Sequence, residues 1–167
     1  MGVTLQWRFD PGDRDNRSFA ATAEFGGGGR DHGTGYMAYS DRVGPGVVLV
    51  AEVVDDDIKS MALALNDEGF TVLAPYRTQA PQLAAAVDHL TANWHPRVGA
   101  IGIGGGVAAA CALASAVQLD ALVLVEGAPE ADVDDSKVPV LVYGTLEPSE
   151  LESAWSHTTD FLHYNLS

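Results

Sequence analysis

Five short runs, 47–51, 70–74, 98–103, 121–125 and 138–143, are apolar almost throughout. None alternates polar with apolar residues as a strand with one wet face would. Such runs predict strands buried on both faces, as in a parallel sheet covered on each side. Segments with helical spacing separate them. Ile58, Met61, Ala62 and Leu65 lay one apolar face along 58–67, and Gly69 is the expected stop. Pro81 sits near the start of a helix expected over 82–94, a favoured place for proline. A third helix, rich in small residues, is expected over 107–117. Strands and helices alternating in this way predict an α/β fold, a mostly parallel central sheet with helices on both faces.

The chain reads differently before residue 46. Residues 18–25 and 34–39 form two expected strands around Gly26, Gly27, Gly28 and Gly29, an N-terminal β-hairpin. No helix follows those glycines, so they read as a hairpin tip rather than a phosphate loop. Toward the other end, 149–157 reads as a helix with Ser149 as its N-cap. Residues 160–165, with His163 among them, read as a last strand. The link 126–137 has no helical period, and its length of about a dozen residues just allows a crossover between parallel strands. The whole chain, 1–167, reads as one domain, with a hairpin region over 1–45 and an alternating core over 46–167.

At 167 residues the chain is long enough to bury a core. Nine Lys and Arg against 23 Asp and Glu give a net charge of −14. A chain this acidic repels phosphate, so neither nucleic acid nor an anionic membrane surface is an expected partner. The single cysteine, Cys111, excludes an internal disulfide and a multi-cysteine metal site, and reads as a buried structural thiol. His32, His89, His95 and His157 lack ligand spacing, so no metal is expected, nor is another cofactor. No apolar run reaches the length of a membrane span, and Met1-Gly2-Val3-Thr4-Leu5-Gln6-Trp7-Arg8 lacks the layout of a signal peptide. A cytoplasmic location is therefore expected.

Ligands of open α/β sheets bind beyond the carboxyl ends of the strands. Glu52 follows the first buried run, and then Asp55, Asp56 and Asp57, which read as a solvated cap for the next helix. Tyr76 and Arg77 follow the second run, Gly104, Gly105 and Gly106 the third, Glu126 the fourth, and Gly144 and Glu147 the fifth. This order puts Glu52, Glu126 and Glu147 on one edge, with Arg77 as a counter-charge. Three converging carboxylates would hold a hard cation or raise one another's pKa for proton transfer. The plainer reading leaves one or two of them facing solvent. Gly102-Ile103-Gly104-Gly105-Gly106 joins a strand to a helix but departs from dinucleotide spacing at Val107. A pocket of backbone N–H groups, able to hold a carbonyl or carboxylate oxygen, is the better reading of that turn.

The order and wording of these segments resemble the dienelactone hydrolase family of α/β-hydrolases. Gly46-Val47-Val48-Leu49-Val50-Ala51-Glu52 resembles that family's first central strand, which ends in an active-site Glu. Asp67-Glu68-Gly69-Phe70-Thr71-Val72-Leu73-Ala74-Pro75 is similar to its segment before a site Asp, a position held here by Tyr76. Val98-Gly99-Ala100-Ile101-Gly102-Ile103-Gly104-Gly105-Gly106 resembles its nucleophile elbow, and Val140-Leu141-Val142-Tyr143-Gly144 the strand leading to its catalytic Asp. The resemblance implies an α/β-hydrolase fold with Glu52 in the site and Glu147 near the acid position. It also marks departures. Gly104 stands where the family carries its cysteine, and a glycine offers no nucleophile. The family's His lies in a loop beyond a strand like 161–164, and the sequence stops at Ser167, before such a loop.

These features imply a hydrolase scaffold that no longer hydrolyses by the family mechanism. Its expected role is to hold a small carbonyl or carboxylate ligand, or a protein partner. Tyr76, Arg77, Gly104, Gly105 and Glu126 are the candidate ligand-binding residues. The alternatives are an enzyme of altered chemistry, with Glu52 as acid or base, and a structural homodimer.

Overall fold

The computed structural model describes residues 18–26, 32–40, 44–126, 137–144 and 146–166. Within them lie seven strands: β1 (Ser18–Phe25), β2 (Gly33–Ser40), β3 (Gly46–Ala51), β4 (Thr71–Pro75), β5 (Val98–Ile103), β6 (Ala121–Val125) and β7 (Val140–Tyr143). Four α-helices accompany them: α1 (Asp56–Asp67), α2 (Ala80–Asn93), α3 (Val107–Ala116) and α4 (Leu151–Leu166). The strands make one sheet in the order β1-β2-β4-β3-β5-β6-β7. β3 to β7 run parallel, and the β1–β2 hairpin joins β4 antiparallel. The expected α/β sheet and N-terminal hairpin are both present.

Every residue of β3, β4, β5 and β6 is buried, as their apolar composition requires. Alternate side chains serve opposite layers. Leu49, Ile101 and Val123 pack with Met61 and Leu65 of α1 and Leu162 of α4. Val48, Val50, Leu122 and Leu124 pack with Leu83 and Leu90 of α2 and Cys111 of α3. Each fully buried aliphatic side chain contributes about 1.5–3 kcal/mol of transfer free energy, so these two layers carry the fold.

The helix boundaries follow local chemistry. Asp55 caps α1, its carboxylate accepting from the Ile58 N–H at 3.0 Å. The chain leaves α1 through Gly69, whose N–H donates to the Asn66 carbonyl at 3.0 Å. Pro81 occupies the first turn of α2, where its missing N–H leaves no partner wanting.

Two expectations at the C-terminal end are corrected. Residues 160–165 are not a strand, because α4 runs on through them to Leu166. Thr158, Thr159, Phe161 and Tyr164 favour a strand by type. However, the buried residues Ala154, Thr158, Leu162 and Leu166 recur every four positions, which is a helical face. The buried Thr158 hydroxyl donates to the Ala154 carbonyl at 2.7 Å and so stays inside the helix's own bonding. Ser149 is not the N-cap either. Glu147 caps a short 3-10 turn over Pro148–Glu150 that leads into α4.

The tip of the hairpin (27–31) and most of the link between β6 and β7 (127–136) lie outside the described residues. No helix among the described residues is long and apolar enough to cross a membrane.

Candidate functional site

The register of the parallel strands builds one level edge. Ala51 aligns with Ile103, Ile103 with Val125, and Val125 with Tyr143. One residue further on, in sheet order, come Glu52, Gly104, Glu126 and Gly144. The edge inferred from the sequence therefore exists, and Gly104 sits between Glu52 and Glu126.

Gly104 opens a sharp turn from strand to helix. Gly104 takes φ +53°, the left-handed region that favours glycine. A 3-10 turn over Gly104–Gly106 then passes directly into α3. Close packing enforces this sharp return. A Cβ on Gly102 would lie 2.6 Å from the Ala110 Cβ of α3, and a Cβ on Gly106 would run into the Val50 carbonyl and the Ala51 backbone of β3. Helix and sheet thus touch where these side chains are missing.

Glu52 lies beside this elbow. A Cβ on Gly105 would lie 2.5 Å from Glu52 Oε2, so the carboxylate rests over Gly105. The Glu52 residue itself is exposed. Two exposed apolar groups lie at strand ends: Val53 follows Glu52, and Tyr76 follows β4, its N–H donating to the Thr34 carbonyl at 2.9 Å. Arg77 is exposed, and no ion pair joins it to Glu52 or Glu126 among the described residues. Its expected part as a counter-charge is not realised.

Glu126 carries a feature that sequence reasoning missed. Its backbone takes φ +62°, the single left-handed non-glycine position among the described residues. That conformation costs an ordinary residue about 1–2 kcal/mol. Its N–H donates to the Tyr143 carbonyl at 2.9 Å, which extends the pairing with β7 by one step and holds the strained residue in place. The Tyr143 hydroxyl in turn donates to the Ala154 carbonyl of α4 at 3.2 Å. Glu126 is half-buried, and its Oε2 is fully buried with no hydrogen-bond partner among the described residues. Desolvation pushes its pKa above the ordinary glutamate value. A residue before a glycine, as Glu126 stands before Gly127, is a weak sequence cue to such a turn.

Glu147 does not join this pair. It is exposed, and its N–H donates to Glu150 Oε1 at 3.2 Å in a capping box at the start of the last helical segment. Among the described residues no three His, Cys, Asp or Glu side chains gather closely enough to hold a metal ion, so three converging carboxylates are not found. His163 is helical rather than in-strand. Its ring stacks on Phe70 at 4.6 Å, with Glu68 3.9 Å away. Cys111 is buried in the layer between α3 and the sheet.

Solved structures share this architecture. A dienelactone hydrolase-like promiscuous phosphotriesterase from metagenomic libraries superposes with a TM-score of 0.67 at 16% identity, over 91% of this chain and 100% of its own. The fold is that of the dienelactone hydrolase-like α/β-hydrolases. A dienelactone hydrolase of Anabaena variabilis gives a TM-score of 0.66 at 14% identity, over 91% of this chain and 100% of its own. An esterase of Pyrococcus furiosus gives 0.67 at 15% identity, over 100% of this chain and 97% of its own. At these identities the likeness to dienelactone hydrolases is one of fold. No protein-family model matches the sequence, and no curated protein matches it.

Proposed function

We propose that this protein binds a small carbonyl or carboxylate compound at the carboxyl edge of its sheet, and that it does so without a covalent acyl-enzyme step. The observation that carries this reading is Gly104. It occupies the apex of an elbow that presents a nucleophile in catalytically competent α/β-hydrolases, and it has no side chain to attack with. The elbow geometry persists around it, with the turn closed down on β3 by Gly106 and the Glu52 carboxylate resting on Gly105. The exposed Tyr76 and Val53 offer apolar contact to a ligand's carbon skeleton, and Arg77 offers a charge to a carboxylate.

The test is a binding screen on the purified full chain. Dihydrocoumarin, pyruvate, acetoacetate and phenylpyruvate are titrated while the melting temperature is followed. A ligand that binds only the folded state raises it, by linkage. At least one of the four is expected to do so, with the rise lost in Gly104→Phe, which fills the apex, and reduced in Arg77→Ala. A mass increase matching an acyl adduct after incubation with an activated ester would overturn the reading, as would a melting temperature unmoved by all four compounds.

A further inference from the structure

Glu52, Gly104 and Glu126 stand at equivalent places on β3, β5 and β6, which are consecutive in the sheet. Neighbouring strands lie about 4.8 Å apart, so the two glutamate backbones are roughly 10 Å apart, with only a glycine between them. A small molecule seated over Gly104 would therefore have a glutamate backbone on each side.

The two carboxyl groups live in different surroundings. Glu52 is exposed and sits on the elbow turn. Glu126 has a buried Oε2 that nothing in the described residues bonds, and its backbone is held in the left-handed region by its bond to Tyr143. Among the described residues, the elements packed against the end of β6 bring no compensating charge. β5 offers Gly104, β7 offers Tyr143 with its hydroxyl already donated to Ala154, and α3 has no charged residue. On α4 the titratable residues Glu152, His157, Asp160 and His163 are all exposed, while its buried face is Ala154, Thr158, Leu162 and Leu166. Burial accordingly holds the Glu126 proton more tightly than an exposed glutamate would. Paired carboxyl groups in unlike environments divide into one that gives a proton and one that takes it.

We propose that Glu52 and Glu126 form an acid–base pair across Gly104 that moves protons on a small carbonyl compound bearing hydrogen on the carbon next to its carbonyl. This rests on the binding reading above. The Glu52 carboxylate removes that hydrogen as a proton, and the C–H electron pair becomes the carbon–carbon double bond. The carbonyl π pair moves onto its oxygen, which takes the proton of the Glu126 carboxyl group. The product is the enol, with Glu52 protonated and Glu126 ionised. Running the steps backwards, at the same carbon or at another, restores both carboxyl groups. Nothing is oxidised or reduced, and no nucleophile is needed.

Proton NMR in deuterated buffer tests the pair. Pyruvate, acetoacetate and phenylpyruvate are each incubated with the full chain, and loss of the signal from the hydrogens beside the carbonyl is followed. Exchange faster than buffer is expected for at least one probe, with a rate that rises and then falls as pH increases. Glu52→Gln and Glu126→Gln are each expected to slow it at least tenfold, and Glu126→Gln to abolish the fall on the alkaline side. Both variants are first checked for an unchanged or higher melting temperature and for the probe-induced shift. Exchange no faster than buffer with all three probes overturns the acid–base pair. So does exchange that either variant leaves unchanged, as amine catalysis through a lysine would. A probe that raises the melting temperature yet shows no exchange overturns this inference alone and leaves the binding reading standing.

Discussion

Gly104 and Glu126 end neighbouring strands at the same level, and both turn through left-handed backbone. At Gly104 the conformation is nearly free, because glycine carries no side chain. At Glu126 the same kind of conformation strains an ordinary residue, yet a long acidic side chain is held there. Had the turn after β6 required only its shape, a glycine would serve, and one follows immediately at position 127. The contrast separates a place where the backbone is wanted from a place where the side chain is wanted. The turn after β5 leaves a bare backbone floor, and the turn after β6 holds a carboxyl group.

The largest test of this contrast concerns the floor. Gly106→Ala puts a methyl group against the backbone of Val50 and Ala51, where no flexible end can give way. Overpacking of that kind costs about 3 kcal/mol. A chain of this size should then melt roughly 6–12 °C lower, as calorimetry will read. Gly105→Ala, one residue earlier, meets the Glu52 side chain alone, Oε2 at 2.5 Å and Cβ at 3.2 Å, and should lower the melting temperature by less than Gly106→Ala does. Equal losses at 105 and 106 would mean that the elbow is not shaped by contact with β3. Next in size is Gly104→Ala, which forces a side chain into φ +53°. A loss of about 1–2 kcal/mol is expected in chemical denaturation, and no loss would show that the turn relaxes readily.

Smaller effects belong to the titrating groups. Desolvation raises the pKa of Glu126 in the folded state, so the folded state holds that proton more tightly than the unfolded one. Stability from this source is complete at pH below the ordinary value of 4.5 and is lost as pH rises through the folded-state value. Glu126→Gln should therefore be more stable than the parent at neutral pH, by less than either glycine variant loses, and the gain should vanish in acid. A gain that persists in acid would assign it to something other than ionisation. His89 of α2 works in the opposite direction. Burial beside the Phe25 ring, 6.3 Å away between centroids, lowers its pKa from 6.5. Stability is intact above that value and falls as pH drops through it. His89→Phe should flatten the acid side of the melting-temperature profile, and an unchanged profile would place the acid sensitivity elsewhere.

The parts of the fold set by local chemistry could be read from the sequence. The apolar runs became β3 to β7, Asp55 capped α1, and Pro81 opened α2. The strand-to-helix turn at Gly104 was also legible, since three glycines stand between an apolar run and a helical segment. The unread parts depend on tertiary context. Thr158 and Phe161 favour a strand individually, but the buried row from Ala154 to Leu166 needs the sheet to pack against, and that contact overrode local preference. Glu147 stood where the resemblance placed an acid, but Pro148 and Glu150 after it spell a helix cap. The strain at Glu126 and the isolation of its Oε2 arise from β7 and α4, elements distant in sequence, so no local pattern announces them.

The strands that lead into Glu52, Gly104 and Glu126 are buried at every residue. Amide hydrogens in such strands exchange with solvent only when the whole cooperative unit opens, whereas the β1–β2 hairpin, with several exposed residues at its outer strand, can open on its own. The spacing between the two glutamate backbones is therefore as durable as the folded state itself. That spacing should persist unchanged until the molecule melts, so that slow amide exchange in β3, β5 and β6 under mild denaturant would trace global unfolding.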